Sequence, residues 1–96
     1  MLRELKTFVA VARHGTFAAA GQQVGLTQSA VSAQMRVLEQ GLGVRLFERS
    51  GRSAVLNAAG RHALPLAEQM LGLYAQMALP PRAAEWQGEL KVGAIA

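Results

Sequence analysis

Apolar residues recur every three or four positions over most of the chain, which predicts a mainly helical protein. The first helix is predicted over residues 2–14, where the periodic positions are Leu2, Leu5, Phe8, Val9 and Ala12. We expect Gly15 to end this helix, because glycine adopts the left-handed conformation of a helix C-terminus at little cost. The helix would therefore cover a small core with one face.

The next two helices are short and close together. Thr16 is placed to cap a helix over about 17–24, and Thr27 to cap another over about 28–40. The turn at 25–26 consists of a glycine and a leucine that we expect to be buried. Two helices joined by such a turn match the helix-turn-helix motif.

The third helix divides on a helical wheel into a polar arc and an apolar arc. The polar arc contains Gln28, Ser29, Ser32, Ala33, Arg36, Glu39 and Gln40. The apolar arc contains Ala30, Val31, Met35, Val37 and Leu38. Gln34 falls within the apolar arc, so we expect it to support the domain through internal hydrogen bonds.

The hydrophobic pattern changes from helical to alternating after the third helix. Residues 44–48 and 54–56 are rich in strand formers, and the sequence "RSGRS" at 49–53 is typical of a turn, which together predict a hairpin. Asn57 then caps a long helix over 58–79, which ends before two prolines. The predicted fold class is therefore mainly α, a winged helix-turn-helix of three helices and a hairpin wing, followed by a long helix.

We divide the chain into three parts. Residues 1–57 form the winged helix-turn-helix domain, with the helix-turn-helix at about 17–40 and the wing at about 44–56. Residues 58–79 form a linker helix, and 80–96 a hinge and the first strand of a further domain. Because an unpaired strand is not a stable element, we expect the chain to be a piece of a longer protein.

The long helix is apolar around about half of its circumference, and its spacing of four and three is that of a coiled-coil seam. The residues predicted to form this seam are Ala63, Ala67, Met70, Leu71, Tyr74 and Met77. The helix could pack back on its own domain or pair with the same helix of a second chain. We favour the second arrangement, a homodimer.

Composition excludes several classes of protein. The chain has no cysteine, hence neither a disulfide framework nor a thiolate metal site, and it has no apolar run long enough to cross a membrane. These features indicate the cytoplasm. Ten basic residues oppose six acidic ones, and no acidic residue lies between Glu4 and Glu39, which favours a polyanionic partner.

An enzyme is not expected. The chain has no aspartate, His14 and His62 lie far apart, and the serines have no neighbouring histidine to activate them. The glycines at 41–43 are not followed by the lysine of a phosphate-binding loop. The sequence therefore predicts neither a catalytic site nor a metal nor a cofactor.

The polar arc of the third helix is suited to reading double-stranded DNA. Glutamine pairs with adenine through two hydrogen bonds and serine reaches several base edges, so Gln28, Ser29 and Ser32 are the predicted base contacts. Arg36 can serve guanine or phosphate. Thr27 and the backbone amides beside it can bind a phosphate at the helix N-terminus.

The turn of the predicted wing carries Arg49 and Arg52. Arginine is favoured along the DNA backbone and in the minor groove, where the potential is most negative. A turn that is basic by chance is the alternative for these two residues alone. Their position after the predicted recognition helix favours contacts with DNA.

Three segments, "LKTFVAVARHGTFAAAG", "LTQSAVSAQMRVLEQGLGVRLFER" and "LNAAG", resemble in this order the N-terminal region of LysR-type transcriptional regulators. The resemblance covers residues 1 to about 79. It implies a winged helix-turn-helix with a dimerising linker helix, and in complete members an effector domain that senses a small molecule. Such members usually form tetramers.

The same resemblance implies base reading by Gln28, Ser29 and Ser32, and a wing arginine at Arg52. The chain departs from the family at four positions. Alanine occupies 18, 19 and 33, where relatives often carry polar or basic groups, and Ser29 stands where proline is common. Contacts with DNA from positions 18, 19 and 33 are weakened accordingly.

Two functions remain at this point. The first is a sequence-specific DNA-binding regulator, and the second is a winged-helix module that binds only protein, since one fold hosts several functions. A protein-docking face carries aromatic or large apolar anchors, which the polar arc of the third helix lacks. We therefore favour the DNA-binding regulator.

Overall fold

The computed structural model describes residues 1–48 and 54–79. Arg49, Arg52 and the predicted strand in 80–96 lie outside the described residues. The helices within them are α1 (Leu2–His14), α2 (Phe17–Val24), α3 (Gln28–Leu42) and α4 (Ala58–Ala78). None of these helices is both long and apolar enough to cross a lipid bilayer.

The ends of the helices follow from local chemistry. All three predicted N-caps are confirmed: Thr16 accepts from the amide of Ala19 at 3.0 Å, Thr27 from Ala30 at 3.1 Å and Asn57 from Gly60 at 2.8 Å. The left-handed glycines that end α1, α2 and α3 are Gly15, Gly25 and Gly43. The third helix continues two residues beyond its predicted end, because Gly43 and not Gly41 takes the left-handed conformation.

The core is built around α1, which packs against each of the other three helices, whereas the backbones of α3 and α4 do not approach each other. Phe8 and Val11 of α1 are fully buried. Phe47 lies between Phe8 and Phe17, with edge-to-face ring centroids 5.9 and 5.5 Å apart. Such aromatic pairs add to the free energy gained by burying the rings.

Helix α3 buries a narrower stripe than its sequence predicts. Val31, Met35 and Leu38 are buried, whereas Val37, at the edge of the apolar arc, is 49% exposed. At 100° per residue, Val37 lies about 100° away from Leu38, beyond the edge of the stripe.

Only the base of the predicted hairpin lies within the described residues. It consists of an antiparallel bridge between Phe47 and Leu56. On either side, the amide of Glu48 donates to the carbonyl of Val55 at 2.7 Å, and that of Asn57 to the carbonyl of Leu46 at 3.0 Å. The two segments that the alternating pattern predicted as strands are therefore paired.

Two glycines allow close packing that no other residue would permit. A Cβ atom on Gly21 would lie 2.5 Å from the carbonyl oxygen of Leu26, and one on Gly60 would collide with the carbonyl oxygen of Leu46. Gly21 thus brings α2 against the turn that leads into α3. Gly60 brings the first turn of α4 against the segment that follows α3.

Candidate nucleic-acid interface

The outer face of α3 is open to solvent along the predicted base-reading edge. Gln28, Ser29 and Arg36 are exposed, and Ser32 is half-buried. Within residues 1–48 and 54–79, none of these four side chains forms a hydrogen bond or an ion pair. Their donors and acceptors are therefore available to a partner outside the domain.

The N-terminus of α3 combines two features that suit an anion. Thr27 is exposed and its hydroxyl oxygen accepts from the amide of Ala30 at 3.1 Å, which leaves the hydroxyl proton free to be donated. The first amides of a helix lack partners within the helix, and the helix dipole adds partial positive charge there. This end of α3 can therefore receive a phosphate oxygen.

Gln34 has the supporting role that its place in the apolar arc predicted. It is half-buried, and its Oε1 lies 2.6 Å from the hydroxyl of Thr7, which is itself 2% exposed. The Thr7 hydroxyl also lies 3.1 Å from the carbonyl of Arg3. The interaction ties α3 to α1 through the side-chain oxygen of Gln34.

The acidic residue of α3 is turned away from the open face. Glu39 was assigned to the polar arc, yet it is half-buried and its Oε2 accepts from the amide of Leu46 at 2.7 Å. This contact was missed at the sequence level. The sequence offered one sign of it, since Glu39 is the first acidic residue after Glu4. The open face of α3 is left with Arg36 as its charged side chain.

The predicted seam of α4 divides into two parts. Ala67 is 3% exposed, and Ala63 and Leu71 pack against the core of the same chain. For these three residues the structure shows the alternative arrangement, in which the helix packs back on its own domain. Met70, Tyr74 and Met77 are 51%, 55% and 81% exposed, so an apolar surface remains uncovered.

This exposed surface forms one stripe along α4. Its members are Leu66, Met70, Leu73, Tyr74 and Met77, all of them exposed. They lie within about 100° of each other on a helix that advances by about 100° per residue. We call them the α4 stripe. The stripe adjoins the buried face of the helix. It continues into residues 72–79, all of which are exposed.

The arrangement of α2, the left-handed turn at Gly25 and α3 with a polar outer face defines a helix-turn-helix protein. The family described as "Bacterial regulatory helix-turn-helix protein, lysR family" matches residues 2–61. The match covers more than half of the chain, so the chain belongs to the lysR family. This confirms the resemblance found in the sequence, and it places the chain in a family of regulatory helix-turn-helix proteins.

Two relatives and one solved structure illustrate the similarity. The chain is 49% identical over 72 residues to an uncharacterized HTH-type transcriptional regulator of Azotobacter vinelandii, covering 75% of this chain and 50% of that protein. It is 40% identical over 93 residues to the HTH-type transcriptional regulator TfdT of Cupriavidus pinatubonensis, covering 95% of this chain and 41% of that protein. A crystal structure of a CbnR DBD–DNA complex matches with a TM-score of 0.77 and 42% identity, covering 80% of this chain and 88% of that chain.

The chain spans half the length of the Azotobacter relative and less of TfdT. The match to the CbnR DBD–DNA complex covers most of both chains. The winged helix-turn-helix fold class predicted from the sequence is thus confirmed by the similarity to DNA-binding domains of this family.

Proposed function

We propose that this chain is the DNA-binding and dimerising part of a transcription regulator, with α3 in the major groove. The observation that carries the proposal is the open face of α3, where uncharged donors and acceptors stand free beside one arginine. Gln28 and Ser29 at the start of the helix would enter the groove deepest. Ser32 follows one turn later.

The remaining contacts position the protein on the DNA backbone. Thr27 and the first amides of α3 would bind a phosphate, and Arg36 a phosphate or a guanine. Arg49 and Arg52 would lie along the adjacent backbone or minor groove. The crystallised CbnR DBD–DNA complex supports this assignment, because a chain 42% identical binds DNA with the same fold.

A salt titration tests DNA binding. We expect fluorescence polarisation with labelled genomic duplexes to show binding that weakens steeply with salt, since each neutralised phosphate releases counterions. With about five phosphate contacts, the logarithm of the affinity should fall with a slope of about −4 to −5 against the logarithm of the salt concentration. A flat response would favour the module that binds only protein.

We further propose that the exposed part of the predicted seam, Met70, Tyr74 and Met77, pairs two chains. Burying these side chains against a second copy would remove apolar surface from water. Ala63, Ala67 and Leu71 would support this interface from behind by holding α4 on its own domain. Half-sites about one helical turn apart, or a multiple of it, would then suit the dimer.

Met77→Asp tests the pairing, with Gln76→Asp as the matched control outside the α4 stripe. A carboxylate in an apolar interface is strongly disfavoured, so we expect Met77→Asp to weaken self-association in sedimentation velocity by at least about tenfold. Gln76→Asp should associate like the parent chain. Equal behaviour of the two variants would contradict the pairing.

In the whole protein, we propose that residues 80–96 lead into an effector-binding domain that responds to a small molecule, with assembly up to a tetramer in the cytoplasm. Residues 1–57 would form the DNA-binding domain and 58–79 the linker helix. Recovery of a longer reading frame, followed by a thermal-shift screen of small molecules on its product, tests this organisation.

A further inference from the structure

The two-residue segment Arg45–Leu46, which follows α3, is held from both sides. From α3, Glu39 Oε2 accepts from the amide of Leu46 at 2.7 Å. From the start of α4, Asn57 Nδ2 donates to the carbonyl of Arg45 at 3.0 Å, and the Asn57 amide donates to the carbonyl of Leu46 at 3.0 Å. We call these three hydrogen bonds the Arg45–Leu46 clamp.

The side chain of Asn57 also caps the N-terminus of α4. Its Oδ1 accepts from the amide of Gly60 at 2.8 Å, so the same amide group caps α4 and binds Arg45. The missing side chain of Gly60 lets the carbonyl of Leu46 approach the first turn of α4. Because Leu46 is fully buried, the segment cannot shift without disturbing the core.

The clamp matters because the backbones of α3 and α4 stay apart. Both helices pack on α1, and in the described residues no Cα atom of one lies within 8 Å of a Cα atom of the other. Their relative orientation therefore depends on α1 and on the segments that pair between them at Phe47 and Leu56, and the Arg45–Leu46 clamp is the part of this connection that bonds to both helices. A carboxylate that accepts a backbone amide gives a short and directional bond, which suits a joint of fixed geometry.

We propose that Glu39 and Asn57 are positioning residues that fix α3 relative to α4 and thereby set the half-site separation that the dimer accepts. The inference rests on the proposed function, in which α3 enters the groove and α4 pairs two chains. A helix of 21 residues is about 30 Å long, so a tilt of about 10° at one end displaces the other by about 5 Å. That displacement exceeds the rise of one base pair.

The test uses the parent chain and the variants Glu39→Ala, Glu39→Gln and Asn57→Asp. Glutamine keeps an acceptor for the amide of Leu46, so Glu39→Gln should behave like the parent. Aspartate keeps the cap on α4 but cannot donate to Arg45, so Asn57→Asp separates capping from clamping. Circular dichroism establishes that each variant is folded.

The probes are duplexes that carry two copies of a half-site selected from a random library, separated in steps of one base pair. We expect the parent and Glu39→Gln to bind best at one separation. In Glu39→Ala, the preference for that separation over its neighbours should fall by about tenfold, the effect of losing a charge-assisted hydrogen bond. In Asn57→Asp it should fall by about threefold, because the lost bond to Arg45 is exposed. Binding to a duplex with one half-site should change less than about twofold, as expected when no base contact is lost.

Residual dipolar couplings of the free protein test the clamp without DNA. One alignment tensor should fit α3 and α4 of the parent and of Glu39→Gln, whereas Glu39→Ala should need two. If one tensor fits Glu39→Ala as well, or if its separation profile equals that of the parent, the positioning role is overturned. If the parent binds no duplex, the proposed function fails instead, and the couplings still decide whether the clamp fixes α3 relative to α4.

Discussion

Helices α3 and α4 are both capped by a side chain at the N-terminus and both pack on α1, yet their solvent-exposed faces differ in polarity. The free face of α3 is polar and nearly uncharged, whereas that of α4 is the apolar α4 stripe. A polar face with unused donors and acceptors suits a partner that offers hydrogen bonds. An apolar face suits a partner that excludes water. The two faces therefore suit different partners, although both belong to one small domain.

The largest expected difference between the two helices is between substitutions of their methionines. Met35 of α3 is 2% exposed and Met70 of α4 is 51% exposed. We expect Met35→Ala to lower the free energy of unfolding by about 2–5 kcal/mol, because it leaves a cavity in the core. Met70→Ala should weaken self-association and have little effect on the unfolding of a diluted, monomeric sample. Urea denaturation at two protein concentrations measures both effects. If the two variants lost the same free energy of unfolding at high dilution, the assignment of Met35 to the core and Met70 to the pairing surface would be contradicted.

Two glycines of α4 differ in their surroundings, because Gly60 lies near the segment that follows α3 and Gly72 does not. A methyl group at Gly60 would collide with the carbonyl of Leu46, whereas one at Gly72 would meet open space. We expect Gly60→Ala to destabilise the domain by about 1–3 kcal/mol through overpacking. Gly72→Ala should stabilise it by up to about 1 kcal/mol, because alanine is the better helix former. Thermal unfolding followed by circular dichroism distinguishes the two, and a stable Gly60→Ala variant would argue against the close approach.

An effect of similar size, on DNA recognition and not on stability, is expected from the exposed glutamine of α3. Gln28→Ala should leave the thermal unfolding unchanged and reduce discrimination at one base pair by about 1–3 kcal/mol. Binding to a panel of duplexes that differ at single positions measures this loss. A uniform loss over all positions would show that Gln28 contacts the backbone and not a base.

The smallest effect is expected from the inward glutamine of the same helix. Gln34→Ala should cost about 1 kcal/mol of stability, since the hydroxyl of Thr7 keeps the carbonyl of Arg3 as a partner. Base preference in the same panel of duplexes should remain that of the parent. A change in preference would mean that Gln34 reaches the DNA.

Features set by neighbouring residues were predictable from the sequence, and features set across the fold were not. The caps at Thr16, Thr27 and Asn57 need only the following three residues, and each was predicted correctly. The inward role of Gln34 followed from its place among apolar residues.

The misses depend on contacts between distant parts of the chain. Glu39 binds the amide of Leu46, and Gly60 meets the carbonyl of the same residue. A helical wheel cannot show either contact, because it represents one helix without its neighbours. It also cannot decide how much of the apolar half of α4 is covered by α1, which divides the predicted seam between Ala67 and Tyr74.

The central place of α1 bears on how the domain opens. Since α2, α3 and α4 each rest on α1, a fluctuation that releases α1 leaves none of them a complete hydrophobic partner. We therefore expect partial opening to be confined to the helix ends, and the amides of Phe8 to Val11 to exchange with solvent only when the whole domain unfolds. Hydrogen exchange in that single turn would thus report the global stability of the domain.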